Sequence, residues 1–460
     1  MALPSVKQAH VLDALVGLLV VTTLPLAVVV IPNTISVVAD LLPAGVSTLA
    51  MIRAHGLALP AMLVTVPLAV SALRRFRPAS LLVAGLLLLA VAEVAAAGAG
   101  SPAVVALLRI GHGVAAGLIV PATFTAVRER PEPARRWLVP LWATTLPLSL
   151  LGSQALALWA LADASTWQVT LRPYPMLTGA GLVLAAAYTL VRRRAAGGLA
   201  EPSPSRRLTT LALIPSTGVA ALAVATTFDL GTTVQVIVAA VAVLGLLGVA
   251  WFGGKVASFA LVVVGLVLFP TAAPMTFLEL EGLGGPGLPG LAVAGGIAAA
   301  TALLVTWYAV RVHVPTGTLA GGGFVVLVGG LCAVRLLVPA ESTLSLIVPM
   351  ALLATGAAAA TATALRHTGG DAALFALSLC FPAVLAGFLA GAIIQAIHVR
   401  TVRSGDAEAL VTAFSGALHL WALIVGVVVV GVLAAGVWRT RRGAPRPLVS
   451  APASSASAGG

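Results

Sequence analysis

Fourteen apolar segments, each about 20 residues long or longer, dominate the sequence and leave few ways for it to fold. A helix of this length spans the hydrocarbon core of a bilayer, where every backbone polar group must be hydrogen-bonded within the protein. We therefore predict an all-α polytopic membrane protein with 14 transmembrane helices. The predicted spans are 11–32, 44–73, 79–98, 103–127, 137–161, 174–191, 208–228, 232–252, 256–276, 288–310, 318–338, 343–365, 371–398 and 409–437.

Charge is scarce and unevenly placed. Asp, Glu, Lys and Arg make up 9 % of the chain, whereas soluble domains carry about 25 %. This excludes a water-soluble enzyme and a disordered protein. The net charge of +12 comes from short basic clusters between the apolar segments, so it does not indicate nucleic-acid binding. The two cysteines, Cys332 and Cys380, both lie inside apolar segments, which excludes a disulfide framework.

The basic residues predict the orientation, because Lys and Arg concentrate in cytoplasmic loops. With the N-terminus inside and the spans alternating, 20 of the 26 Lys and Arg residues fall on the inner side. Three fall outside and three within spans: Arg172, Arg400 and Arg403, then Arg53, Arg109 and Arg335. Both termini are therefore predicted to be cytoplasmic. The first span lacks the cleavage site of a signal peptide, so we expect it to be retained.

The loops divide the chain into predicted regions. Residues 11–191 form a six-helix N-terminal bundle, and 192–207, with its Arg, Gly and Pro residues, form a cytoplasmic linker. Residues 208–252 form an inserted two-helix hairpin, and 256–437 form the C-terminal six-helix bundle. The tail 443–460 is rich in Pro, Ser, Ala and Gly, a composition typical of disorder.

The fourth span carries a motif. It reads Arg109-Ile-Gly-His112-Gly113-Val-Ala115-Ala-Gly117-Leu-Ile-Val-Pro121. This resembles the R-x-x-Q-G-x-G-x-A-x-x-x-P signature of the 14-helix drug:proton antiporters of the major facilitator superfamily, with His112 in the place of Gln. The layout of six spans, two inserted spans and six more is similar to that branch too.

The resemblance implies a transporter of the bacterial inner membrane whose two bundles rock around a central cavity. It implies export of a small amphipathic organic compound, with proton antiport. Several family positions are changed, however. Thr23 stands where the first span has an acid, Pro147 lacks its neighbouring glycines, and the loop at Arg74–Arg77 lacks its Asp. Two alternatives therefore stay open, an uncoupled facilitator and a non-transporting partner protein that retains the fold.

Insertion of an ionisable residue into the membrane costs roughly 2.5–3.5 kcal/mol. Such residues therefore mark functional positions. Counting along the helices places Glu93, Arg109 and Arg53 at similar depth in the outer half of the bilayer. We expect Glu93 and Arg109 to pair, either as a proton carrier with its modulator or as a static ion pair. The proton-coupling candidates are Glu93, Arg109 and His112, and the substrate-pathway candidates are Arg53, His55 and Gln154.

Enzyme signatures do not occur. Gly253-Gly254-Lys255 lacks the remaining residues of a phosphate-binding loop, and the chain has no H-E-x-x-H zinc motif and no nucleophile elbow. The sequence therefore predicts no enzymatic activity, no cofactor and no metal. The expected partners are the lipid bilayer, a small-molecule substrate and protons, with no nucleic acid.

Overall fold

The computed structural model describes residues 6–194, 205–225, 231–253, 256–312, 316–366, 368–400, 402 and 407–443. These residues form helices and short connections, and they contain no strand. Fourteen helical stretches are long and apolar enough to cross a membrane, which confirms the predicted fold class. We call the face that carries the start of the first helix the inner face, following the predicted orientation, and the opposite face the outer face.

Seven helices form the six spans of the first bundle, because its second span is divided in two. They are α1 Val6–Val29, α2 Thr48–His55, α3 Ala58–Ala72, α4 Pro78–Ala95, α5 Pro102–Arg128, α6 Glu132–Trp159 and α7 Pro175–Arg194. Two 3-10 helices, Ile35–Leu41 and Trp167–Leu171, lie in its outer loops, and a third, Ala96–Gly98, extends the outer end of α4.

The inserted pair and the second bundle follow. The inserted helices are α8 Arg206–Ala225 and α9 Thr232–Phe252. The second bundle consists of α10 Val256–Leu278, α11 Gly287–Arg311, α12 Thr316–Leu337, α13 Thr343–Arg366, α14 Gly370–Val399 and α15 Ala407–Gly443. Helix α8 packs against α3 of the first bundle and α14 of the second, and α9 packs against α14 and α10. The inserted pair therefore covers the seam between the bundles on one side.

The helix boundaries differ from the predicted ones at three informative places. Helix α1 ends at Val29 rather than 32, because the chain turns at Ile31-Pro32-Asn33. The second span breaks at Gly56-Leu57, where the α2 helix stops and α3 begins. Helix α15 continues to Gly443. Residues 195–204 of the predicted linker and 444–460 of the predicted tail lie outside the described residues.

Close helix packing depends on glycine at two main contacts. A Cβ on Gly113 of α5 would lie 2.1 Å from the carbonyl oxygen of Ala58 on α3. A Cβ on Gly265 of α10 would lie 2.3 Å from the carbonyl oxygen of Cys380 on α14. Because no other side chain fits at these distances, these glycines set how closely the paired helices approach. Gly113 is also the glycine of the fourth-span motif.

The two bundles meet mainly through α6, which packs against α10, α11 and α13. At this interface the hydroxyls of Thr144 on α6 and Thr306 on α11 are 3.1 Å apart and hydrogen-bonded. Among the described residues, the ion pairs all lie within the first bundle: Asp13–Arg130, Glu132–Arg135, Glu132–Arg136 and Glu129–Arg192. The described interface is therefore held by packing and hydroxyl contacts rather than by charge.

Candidate functional site

Arg109 lies at the centre of the polar residues in the first bundle and is only 2 % exposed. Its Nε donates to the carbonyl of His55 at 2.8 Å. Its Nη2 donates to the carbonyl of Val30, and to that of Pro32 at 3.3 Å. One guanidinium on α5 therefore binds carbonyls just beyond the end of α1 and at the last residue of α2.

The chemistry of helix ends explains this arrangement. The last carbonyls of a helix have no intrahelical partner, and they carry the negative end of the helix dipole. A guanidinium presents a planar fork of donors, which suits several acceptors at once. Arg109 thus satisfies carbonyls that the two helix ends would otherwise leave unpaired in the membrane, and those carbonyls offset its buried charge.

This arrangement corrects the predicted ion pair between Glu93 and Arg109. Within residues 6–194, no ion pair joins them. Glu93 instead accepts a hydrogen bond from the Thr178 hydroxyl on α7 at 2.9 Å. The prediction was wrong because equal depth along two helices does not fix which way each side chain points, and because the free carbonyls compete for the guanidinium.

Glu93 is nevertheless a distinctive group. It lies in the last turn of α4, is 5 % exposed, and interacts with a neutral hydroxyl rather than with a cation. A buried carboxyl with such a partner is costly to ionise. Its one described hydrogen-bond partner therefore supplies a donor but no compensating charge.

Two buried histidines lie with Arg109. His112 is one turn further along α5 and donates its Nδ1–H to the carbonyl of Leu108 at 2.6 Å. Its Nε2 is buried without a hydrogen-bond partner, as are both ring nitrogens of His55. The His55 ring faces the backbone near Thr170. The structure therefore brings together three of the predicted residues, His55, Arg109 and His112, and places both imidazoles beside the backbone of the 3-10 helix Trp167–Leu171.

The other substrate-pathway candidates lie apart from this cluster. Arg53 is exposed on α2. Gln154 is 3 % exposed on α6, the helix that packs against the second bundle, and its Nε2 is buried without a hydrogen-bond partner. Of these two, only Gln154 is a buried polar group on a helix at the interface.

A small apolar cluster covers the outer side of the first bundle. It is separate from the main core. It includes Ile35 and Val38 of the first 3-10 helix and Trp167 and Leu171 of the 3-10 helix that precedes α7. Leu108 of α5, one residue before Arg109, belongs to it too. The cluster closes the outer end of this bundle above the Arg109 group, so that group is shielded from the outer face.

Glu279 falls between the predicted spans 256–276 and 288–310, so its burial is not expected from the sequence. Glu279 follows the last residue of α10 and is fully buried. Burial raises the pKa of Glu279 to about 7. The hydrogen bond that its carboxyl accepts from the Ala340 N–H at 2.9 Å acts in the opposite direction. The sequence signal was an acid directly after an apolar run, a pattern that usually marks a loop.

Among the described residues, no group of three or more His, Cys, Asp and Glu side chains is placed to bind a metal ion.

No protein-family model matches the chain, and no curated protein matches its sequence. Solved structures match over nearly the whole chain. The proton:xylose symporter XylE from E. coli is 15 % identical with a TM-score of 0.57, covering 94 % of this chain and 95 % of that one.

Two peptide-transporter structures match equally broadly. PepTSo2 is 14 % identical with a TM-score of 0.59, covering 95 % of this chain and 100 % of its own. A bacterial homologue of the human drug peptide transporters PepT1 and PepT2 has the same identity and TM-score, covering 95 % and 99 %. This chain therefore has the fold of the major facilitator superfamily transporters.

Proposed function

We propose that the protein is an alternating-access membrane transporter that exports a small amphipathic organic compound. The observation that carries the proposal is the meeting of two six-helix bundles along α6, with no ion pair across the described interface. Bundles held this way can separate on one side without leaving buried charges unpaired, a step that would cost several kcal/mol.

The polar groups favour an amphipathic substrate. Gln154 and the two histidines offer buried hydrogen-bonding atoms, and apolar side chains surround them. Small-molecule binding pockets are in general mostly apolar, with a few polar groups that orient the ligand. The branch resembled by the fourth-span motif supports export rather than uptake.

We propose further that export is coupled to proton antiport through Glu93, with Arg109 and His112 of α5 as further candidates. The support is the burial of Glu93 and its neutral partner Thr178. The proton:xylose symporter of the same fold shows that this architecture is compatible with proton coupling.

An uncoupled facilitator is the second candidate, and one observation favours it. Thr23, which stands where the antiporters have an acid, donates its hydroxyl to the Leu19 carbonyl in its own helix at 2.7 Å. Arg109 interacts with carbonyls rather than with a carboxylate. No carboxylate is therefore found among the described hydrogen-bond partners of Arg109.

A disulfide across the interface tests the transport mechanism. Thr144→Cys with Thr306→Cys places two thiols where hydroxyls are now 3.1 Å apart, in a background with Cys332→Ala and Cys380→Ala. The matched control is Thr301→Cys with Thr355→Cys, whose hydroxyls are 3.5 Å apart within the second bundle. The probe is efflux of ethidium, an amphipathic fluorescent cation, from proteoliposomes, with and without a pH gradient.

Oxidation of the Thr144–Thr306 pair should stop efflux, reduction should restore it, and oxidation of the control pair should leave it unchanged. Efflux that continues after complete cross-linking would contradict alternating access through this interface. Efflux that ignores the pH gradient would favour the facilitator. If neither ethidium nor any compound of an amphipathic panel moves or binds, the non-transporting partner protein becomes the better interpretation.

A further inference from the structure

Glu279 occupies a tightly built turn at the outer end of α10. Its backbone continues the helix, because its N–H donates to the Met275 carbonyl at 3.1 Å. The chain then reverses, and the Gly287 N–H returns to the Glu279 carbonyl at 2.9 Å. Gly284 and Gly287 have φ values of 90° and 73°, which favour glycine. The turn that leads to α11 therefore folds back over Glu279.

The carboxyl of Glu279 is only half satisfied. One oxygen accepts the backbone N–H of Ala340 at 2.9 Å, and the other is buried without a hydrogen-bond partner. A carboxylate in this position would lose most of its hydration and gain one hydrogen bond in return, which disfavours the ionised form.

No cation compensates for it among the described residues. The titratable groups on the neighbouring elements are Glu281 in the same turn, Arg335 and Glu341 beside the α12–α13 connection, His398 and Arg400 at the end of α14, and Glu408 and His419 on α15. None forms an ion pair with Glu279, and the described parts of α6 and α9 that pack against α10 carry no ionisable residue in their outer halves. The burial of Glu279 is therefore not offset by charge.

The contact made by Glu279 belongs to a clamp on the α12–α13 connection. Glu279 of α10 accepts from Ala340, while His419 of α15 donates Nε2–H to the Val338 carbonyl at 2.7 Å. Val338 and Ala340 are each 3 % exposed. Two side chains, from α10 and α15, thus hold the five-residue connection 338–342 through two of its backbone groups.

A cavity lies beside this clamp and separates the bundles at the outer face. Its volume is about 450 Å³, and it is lined by Trp159 and Ala162 of the first bundle and by Leu280, Gly282 and Leu288 of the second. Leu280 directly follows Glu279. The residue that follows Glu279 therefore lines a cavity at the outer face, and an opening of the turn would expose the carboxyl on that side.

We propose that Glu279 is a second proton-exchanging residue, protonated while the turn is closed over it and deprotonated to water on the outer side when the turn opens. This inference rests on the proposed transport function, since proton exchange at the outer face is useful to a transporter that changes its access there. The step breaks the carboxyl O–H bond and gives the proton to water. No other reactant is required.

The pKa of Glu279 of about 7 supports the proposal, because proton release then occurs near neutral pH. The opened carboxyl has an ordinary pKa near 4.5. Opening therefore releases a proton at pH values between these two, and it becomes more favourable as pH rises through that range. Above about pH 7 both states are ionised, and opening no longer depends on pH.

Labelling of a cysteine at Ala340 measures this opening without any substrate. The experiment uses full-length protein in lipid nanodiscs with Ala340→Cys and Cys332→Ala, and an impermeant maleimide. Each rate is divided by that of a free thiol at the same pH. The normalised rate should rise by up to about tenfold per pH unit below pH 7 and then level off.

Glu279→Gln should remove this dependence on pH, whereas Glu281→Gln, an exposed acid two residues away, should retain it. If Glu279→Gln does not fold, Glu279→Asp keeps the titratable group and should shift the pH at which the rate levels off. A pH profile that is flat in the parent protein, or identical in the parent and the Glu279 variants, would overturn the proposal. Because no transport is measured, a failure of the transport function in proteoliposomes would be seen separately.

Discussion

The Nε–H of Arg109 donates to the main-chain carbonyl of His55 across 2.8 Å, so that a side chain of the fourth span binds the end of α2. The same guanidinium reaches the chain just beyond α1. The break in the second span and the early end of α1 are therefore supported by one residue. The arginine of the motif has a structural role here that does not require an acidic partner.

Replacement of Arg109 by Gln should destabilise the protein strongly. The variant leaves buried carbonyls unsatisfied, each at a cost of about 1–3 kcal/mol, for a total of roughly 2–5 kcal/mol. The stability of Arg109→Lys should lie between that of Arg109→Gln and that of the parent, because an ammonium group keeps the charge but lacks the planar fork of donors. Thermal unfolding in detergent measures the loss. The control is Arg53→Gln on the exposed side of α2, which should unfold within a few degrees of the parent; equal losses would argue against the role of Arg109.

Glu93 and Arg109 should behave as independent residues in a double-mutant cycle. Since Glu93 interacts with Thr178, the coupled pair should be Glu93→Ala with Thr178→Val, with an interaction energy of about 0.5–1.5 kcal/mol. The cycle of Glu93→Ala with Arg109→Gln should be additive within about 0.5 kcal/mol. Chemical unfolding of the four variants in each cycle provides the energies. A large interaction energy between Glu93 and Arg109 would instead support the ion pair that the sequence predicts.

The two glycines around His112 should respond differently to alanine. Gly113→Ala places a Cβ 2.1 Å from the Ala58 carbonyl oxygen and should cost about 1–3 kcal/mol, because α3 and α5 must separate. The helix propensity gained, at most about 1 kcal/mol, does not offset this. Gly111→Ala meets only the Ala92 Cβ, at 4.0 Å, and should be neutral or slightly stabilising. Expression and unfolding temperature of the two variants provide the comparison.

The stability of the folded state should depend on pH through Glu279. Its folded-state pKa of about 7 lies above the unfolded value of 4.5, so the folded state holds an extra proton between these pH values. Stability should fall as pH rises through this range, by at most about 1.4 kcal/mol per pH unit, and stay level above it. The difference in unfolding temperature between the parent and Glu279→Gln isolates this contribution. If the difference in unfolding temperature between the parent and Glu279→Gln instead grew as pH rose above 8, this prediction would be contradicted.

Both chain termini should lie in the cytoplasm. Single cysteines at Ala164, after α6, and at Ser203, in the predicted linker, should label oppositely with an impermeant thiol reagent applied to intact cells. Ala164→Cys should react from outside, and Ser203→Cys only after permeabilisation. Labelling of both from outside would contradict the predicted orientation.

The sequence predicts the fold well because each span must satisfy its own backbone within lipid, and length and apolarity report that requirement directly. The predicted boundaries agree with α5, α9 and α11 to within one residue at each end. The break at Gly56-Leu57 was not predicted, because the residues around it are still apolar on average. Hydropathy reports where a helix can cross the membrane and not where it is interrupted.

The candidate site was predicted only in part. The burial of Glu93, His55, Arg109 and His112 follows from their place in apolar segments. The partner of Arg109 could not be predicted, because backbone carbonyls become available only where the chain leaves the helix. Glu279 was missed for a related reason: whether an acid at a helix end faces water or protein depends on how the following turn folds.

Helix α10 is covered by protein on almost every side, with 89 % of its most apolar stretch buried, whereas the corresponding value for α9 is 17 %. A saturation mutagenesis profile of the two helices should therefore look very different. In α9, tolerant positions should be frequent, since most side chains face lipid. In α10, intolerance should form an unbroken band with no helical periodicity. The rate of amino-acid substitution over evolution should accordingly be lowest in α10. The composition of α10 alone does not distinguish it from an ordinary membrane helix.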